Sequence, residues 1–116
     1  MIRETILMTV GTGDRLTGST ATYYTVAASE SVVLKSITLC NTDTTSIGVT
    51  IYLVKSGSSA SDDNIIYKST GLVLAAGETK TLSRNDVLEA GDTIQASAGT
   101  TEKVAIRMSG YRIIGV

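Results

Sequence analysis

The sequence predicts an all-β protein: an antiparallel two-sheet β-sandwich of about eight short strands, jelly-roll or immunoglobulin-like in order. Three observations predict it. Apolar residues recur at every second position, the period of a strand with one buried face. Polar and glycine-containing turns separate the apolar stretches at short intervals. No stretch sustains the 3.6-residue apolar period of a helix, and 18 Thr and 13 Ser supply polarity that suits strands and loops. With frequent turns and no crossover helices, the strands must pair antiparallel and bury one face against a second sheet.

The clearest strand is 47–54. Ile47, Val49, Ile51 and Leu53 share one face; Gly48, Thr50, Tyr52 and Val54 share the other. In 92–98, Ile94, Ala96 and Ala98 alternate with Thr93, Gln95 and Ser97. In 103–110, Val104, Ile106 and Met108 form the apolar face, which then changes phase to Tyr111 and Ile113. A phase change at Gly110 signals a β-bulge. Segment 31–40 is apolar at both parities; Ile37 and Leu39 are expected inward, with a kink near Lys35 and Ser36. Weaker strands are expected at 2–10, with Ile2, Ile6, Met8 and Val10 in phase, and at 20–26, 65–68, 72–74 and 79–83. Residues 85–89 are expected to form one helical turn.

Two turns share a pattern. Leu74-Ala75-Ala76-Gly77-Glu78-Thr79 matches Leu88-Glu89-Ala90-Gly91-Asp92-Thr93. This reads as one turn chemistry used twice, since the unit is too short for a solenoid repeat. Residues 41–46 form a polar turn, and 56–64 a polar loop tip. Residues 1–20 are expected to form an N-terminal strand or arm with a flexible, glycine-containing link at 11–20; residues 21–116 form the sandwich domain. The arm could complete a neighbour's open sheet edge or serve as the domain's own first strand.

Composition narrows the function classes. The chain has 116 residues, enough for one domain with an ordinary core. Net charge is −1, without the basic surplus of a nucleic-acid binder. The chain has no His, the commonest general base and metal ligand. One cysteine excludes an internal disulfide and a Cys-based zinc site. No catalytic, cofactor-binding or metal residues are assigned, and an enzyme is not expected. Ile6 to Val10 is broken by Thr9 and too short for a signal-peptide core, and no stretch approaches a membrane span.

Each chemical candidate has a plainer reading. A Ser–Lys pair could draw on Lys35, Lys55, Lys68, Lys80 or Lys103, but no spacing selects one. Asp62, Asp63 and Asn64 offer oxygen ligands, yet lack the offsets of a calcium loop and read as a solvated tip. Gly11-Thr12-Gly13 lacks the remaining glycine or lysine of a phosphate cradle. Tyr23, Tyr24, Tyr52, Tyr67 and Tyr111 could stack on sugars, which keeps a carbohydrate-binding module as an alternative. Cys40 reads as a buried small hydrophobe. Val54, Tyr52 and Ile114 are candidates for a subunit interface.

Several motifs resemble a known group. Ser36-Ile37-Thr38-Leu39-Cys40-Asn41-Thr42 is followed by Val49-Thr50-Ile51-Tyr52-Leu53-Val54, by the two glycine turns above, and by Val104-Ala105-Ile106-Arg107-Met108-Ser109-Gly110. Over about residues 31–114 this resembles the small β-sandwich virion structural proteins of tailed bacteriophages. The resemblance implies a capsid decoration (cement) protein or a tail, neck or fibre component. It implies homo-oligomers, a homotrimer by analogy, and as partners the major capsid protein or other virion proteins, with no nucleic acid, membrane or cofactor. The location it implies is the virion, assembled in the host cytoplasm. The motifs report strands and turns, so no catalytic residue carries over.

Overall fold

The alternation folds into ten antiparallel strands in a computed structural model that describes residues 2–6 and 14–114, with side chains over 14–113. The strands are β1 (Ile2–Ile6), β2 (Asp14–Arg15), β3 (Ala21–Thr25), β4 (Glu30–Asn41), β5 (Ile47–Val54), β6 (Ile65–Tyr67), β7 (Val73–Leu74), β8 (Thr79–Leu88), β9 (Thr93–Ala98) and β10 (Val104–Ile114). The first sheet runs β1-β10-β4-β8, with β2 also on β10; the second runs β3-β9-β5-β6, with β7 also on β5.

β1 and β2 take successive stretches of one edge of β10. β6 and β7 share one edge of β5 in the same way: the Val49 and Leu53 N–H groups, pointing to one side, donate to Leu72 and Asn64. Each sheet therefore has four strand positions. Numbered along the chain, they run 1-8-3-6 in one sheet and 2-7-4-5 in the other, the jelly-roll order of two Greek keys. Both expected orders were open in the sequence; pairing of the first and last strands distinguishes them.

The core lies between the sheets, and strand phase places it there. Ile47, Val49 and Ile51 are buried, with Leu53 packed against them. Opposite stand Ile37 and Leu39 of β4 and Val104, Ile106 and Met108 of β10. Ile94, Ala96 and Ala98 of β9 complete the second sheet's inner face. Leu16 is fully buried; its N–H donates to Val104 and its carbonyl accepts from Glu102, while Ala98 N–H donates to Thr17. Residues 14–20, read from sequence as part of a link, thus close one end of the sandwich. Met8, Val10 and Gly11-Thr12-Gly13 lie outside the described residues.

The expected kink and bulge are one feature. The β4–β10 register shifts between Ser109 and Gly110, and the β4–β8 register shifts between Leu34 and Ser36. Against β10 the extra residue is Lys35 of β4, whereas against β8 the two residues Arg84 and Asn85 stand where β4 has Lys35 alone; the phase therefore changes in β4, from Ile37 and Leu39 to Leu34 and Val32. β10 keeps its phase: Tyr111 and Ile113 are on the outer face and Arg112 faces inward. A Cβ on Gly110 would lie 2.1 Å from the Val33 carbonyl oxygen, so this glycine provides room for close backbone approach.

The helical turn expected at 85–89 is absent. β8 continues as a strand through Leu88. Its exposed residues, Thr79, Thr81, Ser83, Asn85 and Val87, alternate with more buried ones at a strict period of two. The matching turns are alike in detail. Gly77 and Gly91 have φ of 73° and 87°. Ala75 N–H donates to the Glu78 carboxylate at 2.8 Å, and Glu89 N–H to the Asp92 carboxylate at 2.9 Å. In both, the acid after the glycine satisfies the N–H three residues earlier.

Candidate functional site

Period two gives the first sheet an outer face, and the register aligns its side chains into rows across β10, β4 and β8. Ala105, Cys40 and Thr79 form one row, and Arg107, Thr38 and Thr81 the next. Ser109, Ser36 and Ser83 follow; beyond the Lys35 bulge come Tyr111, Val33 and Val87. The polar rows bond within themselves: Ser36 and Ser109 hydroxyls are 2.7 Å apart, and those of Thr38 and Thr81 3.3 Å. The last row is apolar. Val87 is 64% exposed and Tyr111 36%, with Val33 half-buried between them. Among the strand positions whose side chains are described, the charged residues on this face are Arg15, Lys35 and Arg107, all exposed, and the register sets Glu4 of β1 opposite Tyr111. A sheet face with an apolar row and sparse charge suits docking against another protein surface better than chemistry.

The residues proposed from sequence as an interface lie elsewhere. Val54 is buried: with Leu53, Leu88 and Asp92 it lines a cleft of about 190 Å³ beneath the β8–β9 turn. Tyr52 is half-buried on the second sheet, and the Ile114 side chain lies outside the described residues. Cys40 is half-buried on the outer face, because period two turns its neighbours Leu39 and Asn41 inward. The tyrosines are not gathered into one platform. Tyr23 donates to the Arg15 carbonyl and accepts from Thr17 N–H. Tyr67 accepts from Arg84, and Tyr111 lies on the other sheet. Burial, then the nearby Glu30 carboxylate, pushes the Tyr24 hydroxyl pKa up.

Among the described residues no lysine hydrogen-bonds a serine hydroxyl: Lys35 donates to Asn85 and Lys55 to Asp92. No group of three or more His, Cys, Asp or Glu could hold a metal there. In the 56–64 loop, Asn64 organises the chain: its Oδ1 accepts from Ser61 N–H and its Nδ2 donates to the Ser59 carbonyl. Asp62 and Asp63 remain exposed.

Three polar groups that the sequence reading passed over hold the frame behind this face. Asn41 is fully buried, and its Nδ2 lies within 3.1 Å of the carbonyls of Thr45, Leu74 and Ala75. Its Oδ1 accepts from Asp43 N–H, an Asx-turn whose signal is an Asn opening a polar turn. Arg84 of β8 pairs through two nitrogens with Asp86, at 2.6 and 3.0 Å, and stacks over the Tyr67 ring of β6. It clips the two sheets together at one edge, and the Asp86 bond, then that to Tyr67, raises its pKa. Burial would raise the Asp92 pKa, but N–H groups of Glu89 and Ser56 and the Lys55 ammonium outweigh it and hold the pKa below normal.

No protein-family model matches the chain, and no curated protein does. Solved structures do. The chain is similar to a subunit of Bacillus endospore appendages, described as a family of disulfide-linked pili: TM-score 0.56, 14% identity, covering 100% of this chain and 88% of that one. It is also similar to a chain of infectious bursal disease virus, Gx strain: TM-score 0.50, 15% identity, covering 98% of this chain and 32% of that one. At these identities the likeness shows the fold, a two-sheet β-sandwich that the pilus subunit shares over most of its length.

Proposed function

We propose that this chain is a structural subunit of a proteinaceous particle, and within that class a capsid decoration protein. It binds the outer shell of a tailed bacteriophage as a homo-oligomer, a trimer by analogy. The observation that carries this reading is the outer-face row of Tyr111, Val33 and Val87 beside Lys35 and Arg107. Such a face fits a partner surface that offers an apolar contact and, opposite Lys35 and Arg107, acidic groups. The phage-like strand motifs and the likeness to components of a pilus and a virus support the same class. Cementing then follows from mass action: binding the assembled shell and not its free subunits stabilises the shell.

The test adds the purified protein to heads that lack it and follows co-sedimentation. The native chain binds, more weakly as salt rises because the charges are exposed. Val87→Asp and Arg107→Glu abolish binding while keeping the native melting temperature. A native chain that stays in the supernatant at low salt overturns the reading. A second reading is a tail, neck or fibre component, favoured by coverage of most of a pilus subunit. Gold-labelled antibody on virions separates the two: label over the shell supports decoration, and label at one vertex supports the tail.

A further inference from the structure

The first strand carries a more specific inference, which rests on the chain acting as an assembly subunit. β1 pairs with β10 from Ile2↔Ile113 to Ile6↔Ser109, and β2 resumes the same edge at Asp14↔Ile106. Ser109 and Ile106 are three residues apart on β10, about 10 Å of strand. Between Ile6 and Asp14 the chain has seven residues, a reach of about 27 Å when extended. The connection is more than twice as long as pairing within one copy needs. The two short dimensions of the molecule are 26 and 23 Å, so the same reach extends to an adjoining copy.

β1 can also leave without breaking the rest of the sheet. It is the outermost strand, with β10 as its one neighbour in the sheet order. Its register sets Arg3 opposite Arg112, whose guanidinium is already paired with the Glu30 carboxylate at 2.7 Å. The chain is fastened after β1, where Leu16 is buried and hydrogen-bonded to Val104.

We propose that β1 is exchanged between copies: the first strand of one subunit occupies residues 109–113 of the next subunit's β10, in the register seen here. Exchange of identical elements conserves every contact. In an assembly, where neighbours are held at high effective concentration, it links subunits without a new interface.

The test places Ile2→Cys and Ile113→Cys together in a Cys40→Ser background. Directly paired strand residues fall within disulfide reach. The protein is oxidised mildly in the assembled state and, separately, at high dilution, then run under denaturing, non-reducing conditions beside the Ile113→Cys single variant. Exchange yields a ladder of covalent multimers from the assembled sample and closed monomers from the dilute one. Closed monomers alone from an assembled sample overturn the exchange and leave the assembly reading standing. No crosslink in either sample overturns the register and the exchange with it. A chain that sediments as a monomer at every concentration and binds no particle overturns both.

Discussion

Gly110→Ala gives the sharpest check on how the first sheet is held. The added Cβ would lie 2.1 Å from the Val33 carbonyl oxygen, 3.1 Å from the Val33 carbonyl carbon and 3.2 Å from the Leu34 Cα. All three are backbone atoms of β4, so no side chain can swing aside. Reaching a tolerable contact requires roughly 1 Å of separation between β4 and β10 at the bulge. Ladder bonds near 2.9 Å would then stretch beyond hydrogen-bonding range. Two lost bonds cost about 1 kcal/mol each, and a buried group left unpaired about 1–3 kcal/mol more. The expected loss is about 3–5 kcal/mol out of the roughly 5–15 kcal/mol that holds an ordinary domain. Urea unfolding followed by far-UV circular dichroism measures it, with a fall in melting temperature of roughly 10–20 °C as a second readout. Gly71→Ala is the control: its Cβ would meet its nearest neighbour, the Lys68 carbonyl oxygen, at 3.7 Å, and it should change stability by no more than ~0.5 kcal/mol. A Gly110→Ala variant within about 1 kcal/mol of the parent would refute the close approach.

Other substitutions test the remaining frame. Ile51→Ala should cost about 2–5 kcal/mol by urea unfolding, because Ile51 is fully buried mid-strand, whereas Thr50→Ala on the opposite face should cost much less. Equal costs would mean the β5 phase is wrong. Asn41→Ala should destabilise by about 2–3 kcal/mol, since three carbonyls lose their donor, and Asn41→Asp should be worse because it aims a carboxylate at them. The depressed Asp92 pKa sets a direction with pH. Its stabilisation is present above the unfolded-state carboxylate pKa and is lost as pH falls through the lower folded value. Urea midpoints from pH 7 to pH 2 should therefore decline less steeply in Asp92→Asn than in the parent; identical slopes would count against the carboxylate's role.

Strand phase was legible wherever one face alone is apolar. Ile47, Val49 and Ile51 have polar or smaller neighbours between them, and β5 as far as Ile51, β9 and the first half of β10 follow their alternation, whereas at the end of β5 Val54 is buried and Leu53 half-buried. β8 was harder to read because it lies at a sheet edge. Leu82 and Leu88 are its apolar inward residues, and Arg84 and Asp86 take the inward parity between them, so its second half resembles a turn. The bulge was sensed at the right level of the sheet but assigned to β10, since Tyr111 and Ile113 look like a new inner face. They are the outer apolar row and its neighbour, and the residue extra to β10 is Lys35, at the kink expected where segment 31–40 is apolar at both parities. Pairing between the first and last strands leaves no short-range trace, which kept jelly-roll and immunoglobulin-like orders apart only in the structure. The outer apolar row depends on the same long-range register, because Val33, Val87 and Tyr111 become neighbours only through β4.

The place of β10 bears on when the protein can fold. It is the last described strand, yet it sits inside the first sheet, with β1 and β2 on one side and β4 on the other. As the chain leaves the ribosome, β4 and β8 can meet early, but the seat beside β4 stays vacant until residues 104–114 emerge. Until then one long edge of β4 is open, and Leu16 lacks the Val104 carbonyl that its N–H binds. Closing loops of this length makes the final step slow, in the millisecond-to-second range of β-sandwiches. A chain that stops short of β10 therefore lacks Tyr111 and cannot form its row with Val33 and Val87.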